Sequence, residues 1–128
     1  MFSIQAQQYN IKRYSIEEGL SRSGVYDLLE DSKGFLWIAT EGGGIDVFDG
    51  QHFKNYSTVN GLPTNVVRCL FEDKDGNMWF GTVYSGIWMY NPKTNEFKNY
   101  TKDDGVKSEN IWTIYRTKKG ELFFAGES

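Results

Sequence analysis

Apolar and polar residues alternate in short runs along this chain, each run closed by Gly, Asp or Asn, the pattern of β-strands joined by tight turns. The runs predict four strands, at Val25–Glu30, residues 35–40, Ile45–Phe48 and Phe53–Tyr56, and the same series again over residues 66–101. An Asp-x-x-Gly turn joins the first two strands of each series, where Gly34 and Gly76 supply a left-handed conformation and the Asp carboxylate caps turn amides. The first strand is apolar at successive positions (Val25, Leu28, Leu29; Val67, Leu70, Phe71; Ile111, Ile114, Tyr115), as expected where both faces of a sheet are covered. No helical period appears.

The chain repeats itself with a shift of 42 residues and then one of 44. Glu30-Asp31-Ser32-Lys33-Gly34-Phe35-Leu36-Trp37-Ile38-Ala39-Thr40 lies over Glu72-Asp73-Lys74-Asp75-Gly76-Asn77-Met78-Trp79-Phe80-Gly81-Thr82, and Lys12-Arg13-Tyr14 over Lys54-Asn55-Tyr56 and Lys98-Asn99-Tyr100. The third copy, from Ile111 to Gly126, is looser. The two extra residues of the second unit fall at Lys93-Thr94-Asn95, inside a turn.

A four-stranded unit of about 42 residues is the size of a β-propeller blade. The fold class is therefore all-β, a β-propeller fragment of four-stranded antiparallel blades: two full blades and two complementary half blades, about three blade equivalents. Residues 1–23 are read as the terminal strands of an incomplete blade plus a loop, 24–65 and 66–109 as complete blades with their loops, and 110–128 as the first two strands of another. Since about four to eight blades close a propeller, either the chain is cut from a longer protein or several copies close a ring through strand completion, two giving six blades and three nine; of these the head-to-tail dimer is the expectation over an open monomer.

Composition agrees with many short strands: 16% of residues are aromatic, with 14 Gly and 2 Pro. The net charge of −3 without a basic cluster speaks against a nucleic-acid partner, and nothing predicts direct membrane contact. Cys69, the only cysteine, sits in an apolar run and reads as a buried hydrophobe; it excludes an internal disulfide and a multi-thiolate zinc site. Residues 1–6 read either as a strand alternating Phe2, Ile4 and Ala6 or as the tail of a secretory signal peptide.

Units of the form Gly-Leu-Pro-x-Asn-x-Val, Glu-Asp-x-x-Gly-x-x-Trp-x-Gly-Thr, Gly-Ile, Tyr-Asn and Phe-x-x-Tyr, seen here from Gly61-Leu62-Pro63 to Tyr100, resemble the two-component regulator propeller repeat. The resemblance covers nearly the whole chain and is most specific in the second copy; in the third, Phe123 stands for Trp and Ala125-Gly126 for Gly-Thr. It implies the periplasmic sensor region of a membrane-anchored hybrid histidine kinase that detects glycan fragments, with the kinase outside this chain.

No enzyme is expected. His52 is the only histidine, so no His-based dyad, triad or zinc site forms within one chain. In Asp73-Lys74-Asp75-Gly76-Asn77 the Gly is fourth, whereas a calcium loop of the EF-hand type needs it sixth. Gly42-Gly43-Gly44 lacks the Lys-Ser/Thr of a phosphate loop, and Glu17-Glu18 and Asp103-Asp104 read as solvated loop residues. No cofactor or metal is expected.

Binding is the better expectation, because the loops before the first strand and between the second and third strands share one propeller face. Those loops carry Arg22, Asn65 and Asn110, with Tyr84 on the second set. Tyr26, Arg68 and Trp112 occupy one repeat position on the innermost strand, and together such residues suit a sugar or an anion.

Overall fold

The computed structural model describes residues 12–127. Three antiparallel sheets follow one another along the chain. The first runs β1 (Val25–Glu30), β2 (Leu36–Thr40), β3 (Ile45–Phe48) and β4 (Phe53–Tyr56), and the second β5 (Val67–Glu72), β6 (Met78–Thr82), β7 (Ile87–Asn91) and β8 (Glu96–Tyr100), each in sequential order. The third, β9 (Asn110–Arg116) with β10 (Leu122–Glu127), is a hairpin. The two complete blades and the C-terminal half blade are thus those the repeat predicts. Residues 12–15 lie in no strand, and the rest of the expected N-terminal half blade falls outside the described residues.

The Asp-x-x-Gly turn is built alike in both blades. Asp31 accepts hydrogen bonds through Oδ1 from the amides of Lys33 and Phe35, both at 2.9 Å, and through Oδ2 from the Trp37 indole at 2.8 Å. Asp73 does the same for Asp75, Asn77 and Trp79. Burial would raise the Asp73 pKa, but the Trp79 indole and the two amides prevail and hold it below the usual carboxylate range. The repeated Asp and Trp are therefore partners, one residue orienting both the turn and the ring that fills the space between blades. Because Trp37 is only 5% exposed, Asp31→Ala leaves a buried indole N–H without its acceptor and is expected to cost about 2–3 kcal/mol, read as a lower urea midpoint.

The core lies between blades. Trp37 of β2 stacks on Tyr56 of its own blade at 5.9 Å and meets Phe80 and Tyr90 of the next at 6.5 and 6.1 Å. Trp79 repeats the pattern with Tyr100 and Phe124. Inter-blade hydrogen bonds add direction: the Leu70 amide donates to Asp27 and the Ser32 amide to Glu72.

Two expectations are corrected. Full cover of the first strand holds for β5, where Val67 and Leu70 are buried, but in β1 Val25 and Leu28 are 42% and 56% exposed. The cause is position: β5 packs between β1 and β9. Although no helical period was expected, single 3-10 turns occur at Ile16–Glu18, Thr58–Asn60 and Lys102–Asp104. Each is closed by a reciprocal capping box, Ser15 with Glu18, Ser57 with Asn60 and Thr101 with Asp104, and ended by a left-handed Gly. Glu18 and Asp104 are thereby caps within the loops.

Candidate ligand-binding site

The N-terminal end of each innermost strand carries a β-bulge. Val25 pairs with Thr40 and Asp27 with Ala39; Val67 pairs with Thr82 and Cys69 with Gly81; Ile111 pairs with Gly126 and Thr113 with Ala125. The extra residue is Tyr26, Arg68 or Trp112, the same repeat position in all three. A bulge re-aims the side chain it carries, and here three re-aimed side chains meet: the Arg68 guanidinium carbon lies 4.5 Å from the Tyr26 ring centroid and 4.1 Å from that of Trp112. The cation thus sits over two aromatic rings at once, a cation–π arrangement worth about 0.5–1 kcal/mol per ring where partly exposed. The rings themselves remain accessible, Tyr26 at 37% and Trp112 at 45%.

Close blade approach makes this contact feasible. Gly81 faces the bulge across the β5–β6 pair, and a Cβ there would come within 2.6 Å of Ile111 Cγ2. Arg68 Nε is buried and has no hydrogen-bond partner among the described residues.

Beside Arg68 opens a cavity of about 120 Å3, lined also by Tyr84, Asn110, Trp112 and Glu127. Asn110 Oδ1 accepts the Tyr84 amide at 2.8 Å and so fixes Tyr84 at φ 69°, a left-handed conformation that the first copy gives to Gly42. Holding a Tyr there costs free energy, and the ring it presents is 76% exposed. Tyr84 also borders a groove of about 530 Å3 that runs along the same loops past Trp88, Asn99 and Lys102. The Trp88 indole is anchored by donating to the Ser85 carbonyl at 2.8 Å.

Of the residues expected from the sequence, Tyr26, Arg68, Tyr84, Asn110 and Trp112 are brought together. Arg22 is exposed and lies against Gly43 instead. Asn65 is a fastener: its side chain accepts the Thr58 amide at 2.9 Å and its carbonyl the Gly44 amide at 2.8 Å. Trp88, Lys102 and Glu127 were not anticipated. Trp88 had a usable signal, since it replaces Asp46, which in the first blade is buried and binds the Ser21 amide and the Asn55 side chain.

The remaining reactive groups sit elsewhere. His52 is exposed, 3.7 Å from Asp49, whose carboxyl is held below its usual range by the amides of His52 and Gln51. Cys69 is buried, and burial pushes its thiol from 9.0 up to about 12. Among the described residues no three His, Cys, Asp or Glu side chains gather as a metal site, and no helix is long and apolar enough to cross a membrane.

Residues 19–42 and 61–84 match the family described as two component regulator propeller. The structure is similar to the extracellular domain of the hybrid two component system BT3049 from B. thetaiotaomicron, with TM-score 0.70 and 30% identity over 80% of this chain and 14% of that one. The extracellular domain of the one component system BT4673 from the same organism gives TM-score 0.73 and 25% identity over 84% of this chain and 16% of that one. Virginiamycin B lyase from Staphylococcus aureus, at TM-score 0.62 and 24% identity over 81% of this chain and 35% of that one, shares the fold alone. No curated protein matches the chain. This chain therefore spans a small part of the extracellular domains it resembles, and two of its repeats match the two component regulator propeller model.

Proposed function

We propose that the chain is a non-catalytic ligand-binding part of an extracytoplasmic sensor propeller, taking an oligosaccharide on its loop face and passing occupancy to a kinase outside these residues. The observation that carries this reading is the Tyr26–Arg68–Trp112 stack, three bulge residues converging beside an exposed Tyr84. Partly exposed aromatic faces next to anchored polar groups are what a sugar ring requires, apolar C–H faces against rings and hydroxyls against polar atoms. The similar structures, extracellular domains of hybrid two component and one component systems, support the sensing role and the location.

Calorimetric titration with a panel of neutral and acidic oligosaccharides tests the reading. At least one is expected to bind, and Trp112→Ala should weaken it tenfold or more while lowering the thermal midpoint by only a few degrees, since Trp112 is 45% exposed and its cation–π contact is worth about 0.5–1 kcal/mol. A panel with no binder would overturn it.

A second reading, assembly without a small ligand, is favoured by a cleft of about 540 Å3 beside β10, lined by Trp79, Tyr100, Val106 and Phe124. Phe53 covers Gly19 and Phe97 covers Gly61, whereas among the described residues no side chain lies within 4 Å of a Cβ placed on Gly105. A second copy adding strands to β10 would supply the cover. A dimeric mass in solution combined with no oligosaccharide binding would favour this reading.

A further inference from the structure

We infer that the ligand of the loop face carries a carboxylate and that Arg68 reads it; this rests on the sensor reading above. The guanidinium carbon sits over the rings of both Tyr26 and Trp112, 4.5 and 4.1 Å from their centroids, and its N–H groups bond in the plane of the fork. Nε is buried and unsatisfied, and Arg68 makes no ion pair within 4.0 Å among the described residues. A buried charged donor without an acceptor is costly, which makes the site one planar acceptor short. A carboxylate supplies two oxygens in the geometry of that fork, and the adjoining cavity of about 120 Å3 has room for such a group. The two rings restrict the Arg68 fork, so little side-chain freedom is lost when an anion arrives.

The other side chains sort the ligand's parts. Asn110 is already committed to the Tyr84 amide through Oδ1, and Tyr84 leads from the Arg68 cavity into the larger groove with Trp88 and Lys102. An acidic saccharide fits this layout, its carboxylate at Arg68 and its further rings along Tyr84 and the groove. Glu127 lines the same cavity, and its own carboxylate opposes an incoming anion.

The test is calorimetric titration of the whole chain with trimers of galacturonate, glucuronate and mannuronate, each beside its methyl ester, which keeps the ring and removes the charge. At least one acid is expected to bind tenfold or more tightly than its ester. Arg68→Lys should abolish most of that preference, because an ammonium keeps the charge but not the fork. Trp112→Ala should weaken binding of that acid, and Glu127→Gln should strengthen it. Equal affinity of acid and ester in every pair would overturn the carboxylate inference and leave the sensor reading standing. Absence of binding by all six would overturn the inference as well, with the neutral oligosaccharides deciding the sensor reading separately. An acid preference that survives Arg68→Lys undiminished would place the anion elsewhere and also sink it.

Discussion

Phe80→Ala is expected to lower the unfolding free energy by about 3–5 kcal/mol, the range for removing a buried aromatic from a core that relaxes only in part. Phe80 is 1% exposed and touches rings from both complete blades, Trp37 at 6.5 Å and Phe97 at 6.2 Å. It belongs to one continuous buried cluster from Trp37 and Ile45 of the first blade to Met78 and Tyr90 of the second. The cavity left by Ala would therefore open at the joint between blades. Domains of this size are stable by roughly 5–15 kcal/mol, so the loss would be visible as a large drop in urea midpoint. Phe123→Ala is the control, because Phe123 is 58% exposed and a surface change of this kind stays within about 0.5 kcal/mol. Equal effects of the two would mean that the blades do not share a core.

The strands were legible because the repeat states the first two of each blade three times and the other two twice. The turn chemistry was legible for the same reason: Asp31 and Asp73 recur with Gly34 and Gly76, and the structure has both carboxylates capping turn amides. What the sequence did not disclose was the role of each Trp as partner of that Asp. The single 3-10 turns were missed because one turn has no period, although Ser15-x-x-Glu18 followed by Gly19 is a capping pattern. Bulges are harder still. They depend on pairing register across two strands, and no local pattern marks Tyr26, Arg68 or Trp112 as the unpaired residue; only their shared repeat position pointed to a common place. Arg22 and Asn65 show the limit of that argument. Loop membership placed them on the right face, but the Asn65 side chain is spent on the Thr58 amide, and Arg22 lies before the bulge at Tyr26, against Gly43.

Gly44→Ala is expected to be among the most damaging single-methyl changes in the chain. Gly44 holds φ +81°, which costs an L-residue about 1–2 kcal/mol, and it is buried. A Cβ at Gly44 would also run into the Tyr56 carbonyl oxygen and lie 3.2 Å from Ser57 Cα, both backbone atoms that cannot swing aside. The Gly44 amide donates to Asn65 at 2.8 Å, while its carbonyl accepts the Thr40 amide at 3.0 Å and hydroxyl at 2.9 Å. Displacing it therefore disturbs the β2–β3 connection and the loop that leads into the second blade together. A total of about 3 kcal/mol or more is expected, measured by urea unfolding, with faster hydrogen exchange at the amides of Thr40 and Gly44. Gly42→Ala separates the two causes. Gly42 has φ +91° but, among the described residues, nothing within 4 Å of an added Cβ, so it should lose only the conformational part, about 1–2 kcal/mol. If the two variants unfold at the same urea concentration, the clash with Tyr56 contributes nothing and the Gly44 link does not hold the blades in register.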